Sequence, residues 1–335
     1  MLDVNDFVLL KRYLYEREII DSSSSITIEP LTGGVSNSVL KIKSDKGEFV
    51  LKQALPKLKV SGEWLSDVER TNIEKKALKF LQKFVPGVTP KLLYEDEINF
   101  LLIMECAPAE SVTWKSLLMK GDCNEVVARK IGQILGNLHQ NTHDLIEAKS
   151  TFRNKEFFKQ LRIEPYFVIL KSKYPDLKKD IEQHIECCLD KEDALITADY
   201  SPKNILVCGN NVMVIDFEVT HYGDSSFDLG FLTTHLILKS ILFSKRSKDY
   251  YAVLKETLEG YFSYVHFTSR AELEKLAVQQ LAWLLLARID GKSPVEYITN
   301  EKEKKLIRFA AREILSSNIK RFEEVTEFFT LNKLS

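Results

Sequence analysis

Along the first hundred residues, apolar and polar positions alternate in short runs. Residues 26–29, 38–43 and 48–53 show the period of two and the β-branching of strands. Residues 100–104 are apolar throughout and read as a buried strand, ending in the loop Glu105-Cys106-Ala107-Pro108. One helix interrupts this region. Ile73, Ala77, Leu78 and Leu81 form an apolar stripe at helical spacing, and Ser66 with Glu69 fits a capping box ahead of it. Further along, helical spacing takes over. Residues 125–143, 229–243, 248–267, 270–287, 301–316 and 318–331 read as helices, most of them amphipathic. Strands therefore dominate the first part of the chain and helices the second.

Two short apolar runs break the helical part. Ile205-Leu206-Val207 and Val212-Met213-Val214-Ile215 have strand character, with Gly209-Asn210-Asn211 as turn chemistry between them. The hairpin is bracketed by polar groups: Asp199 and Asn204 before it, Asp216 and Glu218 after it. One free carboxylate beside a set of hard oxygen ligands suits Mg²⁺ and phosphoryl transfer. The plain alternative is a surface hairpin with acidic ends and a solvated loop.

Two features upstream bear on that choice. On the strand at 48–53, Val50, Lys52 and Ala54 share a face, which puts a lysine among apolar side chains. Such a lysine needs an anion or must snorkel. Glu74 lies beside the apolar stripe of the following helix and is the first candidate partner; Glu69 is the second. The turn Leu31-Thr32-Gly33-Gly34-Val35-Ser36-Asn37 between the first two strands lets backbone N–H groups approach phosphates, although hairpins use such turns routinely.

The stretch Thr197-Ala198-Asp199, four residues, Asn204, then Asp216-Phe217-Glu218 resembles the aminoglycoside phosphotransferase and choline kinase superfamily. That family's pattern is His-Gly-Asp, four residues, Asn, then an Asp-x-Asp or Asp-x-Glu. Thr197 and Ala198 depart from it, and Ala198 is acceptable only where the backbone does not need a positive φ. The segment Lys52-Gln53-Ala54-Leu55-Pro56, the Gly62-Glu63-Trp64 loop and the Asp-x-Glu pair look like the methylthioribose kinase branch. Leu135-Gly136-Asn137-Leu138-His139 matches the family's Leu-x-x-Leu-His, with His139 read as structural.

The resemblance implies an α+β, two-lobed protein-kinase-like fold, with an N-lobe over 1–105 and a helical C-lobe over 106–335. It implies ATP and Mg²⁺ as cofactors and a hydroxyl of a small metabolite as acceptor, a methylthioribose-like sugar being favoured. Choline, homoserine or aminoglycoside acceptors, or a nucleotide-binding pseudokinase, are the alternatives. Asp199 is the implied catalytic base. Gly33, Gly34, Val35, Ser36, Asn37, Lys52 and Glu74 would serve the phosphates, and the backbone of Glu105 and Ala107 the adenine. Asn204, Asp216 and Glu218 would hold the metal. Asp228, read as the N-cap of the helix that follows, would brace the catalytic loop.

Composition narrows the classes further. With 47 basic and 48 acidic side chains and no basic run interleaved with aromatics, nucleic acid is not an expected partner. No apolar stretch is long enough for a membrane span, and the first twenty residues carry interspersed charge. Five cysteines without metal-ligand spacing read as reduced thiols, which points to the cytoplasm. Neither the acceptor nor the choice between monomer and homodimer is written in the sequence.

Overall fold

The computed structural model describes residues 2–21, 25–31, 36–58 and 64–332. The chain divides into two compact units: Met1–Ser111 with Met213–Glu218, and Val112–Val212 with Val219–Ser335.

The first unit is built on a five-stranded sheet, β1 (Thr27–Pro30), β2 (Asn37–Ser44), β3 (Gly47–Ala54), β4 (Leu92–Asp96) and β5 (Leu101–Glu105). Its order is β1-β2-β3-β5-β4 and every pairing is antiparallel. Alternation sorts the side chains of β3. Phe49 and Leu51 enter the hydrophobic core, and Lys52 lies on the opposite face between Val39 and Leu102 in the register. The core is closed by a helix that the sequence pattern did not announce, α1 (Phe7–Glu16), which contributes Leu10, Tyr13 and Leu14. Asp6 caps it by accepting from the N–H groups of Val8 and Leu9.

The second helix, α2, runs Arg70–Leu81 and starts later than expected. Ser66 and Glu69 form no capping box; Glu69 makes no side-chain cap bond. The Arg70 guanidinium instead donates back to the carbonyls of Ser66 and Asp67, which settles the turn ahead of the helix without a capping side chain.

The second unit is mainly helical. It opens with β6 (Val112–Thr113), α3 (Trp114–Met119) and α4 (Glu125–Thr142). The strand pair β7 (Ala194–Ile196) and β10 (His221–Gly223) is antiparallel, and β6 pairs with β8 (Ile205–Cys208). The chain leaves this unit inside β9 (Asn211–Val214), after the turn at Gly209 and Asn210. The helix Ser225–Leu242 is almost wholly buried. Its N-cap is Asp224, which accepts from the Ser226 N–H, and not Asp228, which sits in the first turn. The helix Ser247–Phe262 packs tightly against α4. A Cβ at Gly132 would meet the Thr257 carbonyl oxygen at 1.9 Å, and one at Gly136 the Tyr261 oxygen at 2.4 Å, so both positions require glycine. The helices Arg270–Asp290, Glu301–Ser316 and Phe322–Leu331 complete the unit. Among the described residues no single helix is long and apolar enough to cross a membrane.

Candidate active site

In the first unit, Lys52 is 7% exposed and meets two carboxylates: Glu74 at 2.6 Å and Asp216 at 2.6 Å. Helical phase turns Glu74 inward from α2, where it is as buried as the apolar stripe around it. Burial by itself would lower the Lys52 pKa, but Asp216 and Glu74 outweigh it and hold the ammonium charged. Glu74 is pushed above the usual carboxylate range, by burial first, with Lys52 opposing and Asp216 and Glu218 adding to the rise. Glu74, Asp216 and Glu218 against the two cations Lys52 and Arg70 leave one net negative charge, which a further cation would relieve.

Glu218 follows two residues after Asp216 and is held differently. Ser36 Oγ donates to its Oε1 at 2.6 Å, Asn37 Nδ2 to its Oε2 at 2.9 Å, and Arg70 Nε to Oε2 at 3.0 Å. Arg70 is fully buried, and its terminal nitrogens are spent on backbone carbonyls. Ser36 and Asn37 therefore spend their side chains on Glu218. Gly33, Gly34 and Val35 of the same predicted phosphate turn lie outside the described residues.

The donor set fits a hard divalent cation. One oxygen each from Glu74, Asp216 and Glu218 lies within 4.8 Å of the others. Asp216 is the most accessible of the three and has φ of 71°, a left-handed conformation that costs energy in a non-glycine residue. All three are paired, Glu74 and Asp216 with Lys52 and Glu218 with Arg70, and the greater exposure of Asp216 makes it the easiest for a metal to reach. On β5, the Glu105 N–H donates to the Lys91 carbonyl, and Cys106-Ala107 follow the strand as a loop.

In the second unit, the catalytic-loop motif is organised around Asp199, which is 6% exposed. Its Oδ2 receives Asn204 Nδ2 at 2.8 Å, Arg162 at 2.9 Å and Lys203 at 3.0 Å. Its Oδ1 is buried and has no hydrogen-bond partner. The carboxylate is thus fixed by one oxygen, and the other is left unpaired among the described residues. Asn204 donates through its nitrogen, so its Oδ1 is the atom left to act as a ligand.

Thr197 and Ala198 are braced from behind. Asp228, fully buried, accepts from the Thr197 N–H at 2.7 Å, the Thr197 hydroxyl at 3.1 Å and the Ala198 N–H at 2.7 Å. The threonine hydroxyl does the bracing expected of a histidine. The condition set on Ala198 is not met: its φ is 54°. A glycine would take that conformation freely; alanine holds it at a cost of about 1–2 kcal/mol. His139 is buried inside α4, bonded to the Tyr261 hydroxyl at 2.8 Å and with Nε2 3.6 Å from Asp228, which makes it a support residue.

Arg162 was not legible in advance. It lies on a wide-turned π-helix, Lys159–Val168, with Pro165 inside it. A proline there reads as a helix breaker, and one arginine between apolar residues carries no motif.

The chain matches the model of the phosphotransferase enzyme family over residues 27–262. It is 27% identical over 279 residues to a methylthioribose kinase of Bacillus cereus (strain ATCC 10987 / NRS 248), covering 76% of this chain and 70% of that one. A choline/ethanolamine kinase family protein from Mesorhizobium loti shares the fold at a TM-score of 0.59 and 16% identity, covering 97% of this chain and 99% of the other. The amicoumacin kinase hAmiN, solved in complex with AMP-PNP, Ca²⁺ and Ami, does so at 0.59 and 14%, covering 92% of each. With most of its length matched by the family model, the chain belongs to the phosphotransferase enzyme family, a kinase-type enzyme that phosphorylates a hydroxyl acceptor.

Proposed function

We propose that the protein transfers the γ-phosphate of ATP, taken as its Mg²⁺ complex, to a hydroxyl of a small metabolite, with a methylthioribose-like sugar as the favoured acceptor. The observation that carries this reading is Asp199, anchored through Oδ2 and without a hydrogen-bond partner at Oδ1 among the described residues. Oδ1 takes the hydroxyl proton while the hydroxyl oxygen forms its bond to γ-phosphorus. The bond from γ-phosphorus to the bridging oxygen breaks, and ADP leaves with that electron pair. Lys52 serves the nucleotide phosphates, with Glu74 orienting it. Asp216 and Asn204 are the first-choice metal ligands, and Glu218 backs Asp216 through the Arg70 network. Mg²⁺ when bound supplies charge neutralisation for the phosphates. In this reading the stretch 1–105 supplies the sheet and helix that bind the nucleotide phosphates, and 106–335 the catalytic loop, the metal site and the acceptor pocket.

The kinship to methylthioribose kinases supports the sugar. A nucleotide-binding pseudokinase is the second reading, motivated by Thr197-Ala198. The intact Asp228 bracing of that loop weighs against it.

The test is Mg-ATP-dependent ADP release against methylthioribose, other sugars, sugar acids, choline, ethanolamine, homoserine and aminoglycosides, with Asp199→Asn as control. Release stimulated by one acceptor and lost in the variant supports the kinase. ATP binding with no acceptor-stimulated release favours the pseudokinase.

A further inference from the structure

Lys239 is a buried lysine in the second unit, 1% exposed, two turns past Phe231 on the helix Ser225–Leu242. Its ammonium meets the His235 carbonyl at 3.3 Å and the Tyr297 hydroxyl at 3.4 Å, both neutral oxygens, and stands 4.9 Å from the Tyr297 ring centre. Among the described residues no carboxylate reaches it within ion-pair distance. A buried ammonium without a counter-anion is expensive, and a protein keeps one where a ligand supplies the anion.

Further cations gather around the same residues. Lys115 lies 6.0 Å from the Tyr297 ring on its way to an ion pair with Glu296. Arg288 donates to the Tyr166 hydroxyl at 3.0 Å, and its Nε is buried without a partner. Tyr166 stacks near Phe231, whose ring also lies 5.6 Å from the Arg162 guanidinium that holds Asp199. The cluster is therefore contiguous with the catalytic loop. His235 registers it: burial first, then Lys239, Arg288, Lys203 and Lys115, push its pKa far down and keep it neutral. Glu296 is the one acid with a marked influence on Lys239, and its carboxylate is already spent on Lys115.

We infer that the acceptor carries an anionic group, a carboxylate or a phosphate, and that Lys239 and Lys115 at the Tyr297 ring, with Arg288 at Tyr166, bind it. This rests on the phosphotransfer reading and departs from its favoured acceptor, since methylthioribose carries no anionic group. An acceptor built this way is a hydroxylated anion, such as a sugar acid or a sugar phosphate. A polycationic acceptor would meet like charge at every one of these positions. The tyrosine ring between two ammonium groups gives the site a flat apolar wall, against which an anion exchanges water for charged donors.

The test is calorimetric titration of the full chain with ribose, ribose 5-phosphate and ribonate, which separates the neutral body from the two anionic groups. The expected result is that at least one anion binds about tenfold or more tighter than ribose. The same preference should fall about tenfold in Lys239→Met and in Lys115→Met, while Mg-ADP affinity stays the same. Lys239→Met removes a buried charge and keeps an unbranched side chain one atom shorter, and Lys115 is on the partly exposed side, so a folding defect in one variant does not block the other. Equal binding of all three probes, no saturable binding of either anion, or an anion preference indifferent to both variants overturns the inference. ADP release with the Asp199→Asn control is read separately. If it fails while the anion preference holds, the catalytic reading falls and the binding site stands; if neutral sugars are turned over as well as anionic ones, the reverse follows.

Discussion

Arg162 holds Asp199 through Oδ2 at 2.9 Å, while Oδ1 of the same carboxylate is buried with no hydrogen-bond partner. The guanidinium also donates through Nε to the Ala198 carbonyl at 2.7 Å, so one side chain fixes both the backbone and the carboxylate of the loop. Arg162 is a positioning residue in this arrangement. Arg162→Met is expected to lower kcat by about 100-fold with little change in nucleotide Kd, because a small misplacement of the base is enough for a loss of that size. Steady-state kinetics beside nucleotide titration checks it. An equal fall in nucleotide affinity would point to a general folding defect.

Asp199→Asn keeps the shape of the loop and removes the proton acceptor. Turnover should fall by about 100- to 10,000-fold. Mg-ATP affinity should be nearly unchanged, because the phosphate-binding groups lie elsewhere in the chain. Near-normal turnover would mean that Asp199 is not the base.

Ala198 is held at φ 54° by Asp228, which accepts from its own N–H and from that of Thr197. Ala198→Gly removes about 1–2 kcal/mol of strain and gives back part of it through the lost methyl burial and added chain entropy. Its melting temperature should match or exceed that of the wild type. Ala198→Val, β-branched in the left-handed region, should melt several degrees lower. A melting curve for each variant decides, and a valine variant as stable as the wild type would refute the strain.

Arg70 and Glu218 form a buried pair in which every guanidinium nitrogen is engaged and the carboxylate accepts three hydrogen bonds. Arg70→Met leaves Glu218 charged and buried, at a cost of about 3–5 kcal/mol. Chemical denaturation should show a loss of that order. The double variant Arg70→Met with Glu218→Gln should recover part of it, since the stranded charge is gone.

Lys239 makes stability depend on pH. Burial, followed by Lys115, with Glu296 opposing and Arg288 adding, lowers its pKa to about 7 from the 10.5 of an exposed lysine. Between those values the unfolded chain holds a proton that the folded chain has released. Stability therefore rises with pH through this window, and the cost of the buried charge is greatest below it. Lys239→Met should stabilise the protein most at about pH 6 and least at about pH 9. Melting temperatures at the two values check this, and an equal gain at both would rule out the buried charge as its source.

Much of the site was legible because its signals are local. Strand alternation put Lys52 off the core face, helical phase turned Glu74 inward, and a five-residue step set Asn204 against Asp199. These relations follow from periods of two and 3.6 and from the reach of a single loop, which sequence encodes directly. Where local rules failed, a distant group had taken over. The capping box at Ser66 lost to the Arg70 guanidinium, and the cap expected of Asp228 went to Asp224 because Asp228 is committed to the catalytic loop.

The sequence by itself determined the family, the change from strands in the first part of the chain to long helices in the second, and the Lys52–Glu74 and Asp199–Asn204 pairs. Only the tertiary structure decided that Arg162 clamps Asp199, that Ala198 sits at positive φ, that Glu218 is bound by Arg70, and that Lys115, Lys239, Arg288 and Tyr297 converge. The physical reason is the same for each. A residue's charge and shape are its own, but its partners come from segments far apart in the chain. Which of them meet is set by the burial of the whole core, to which every element contributes and which no short window of sequence contains.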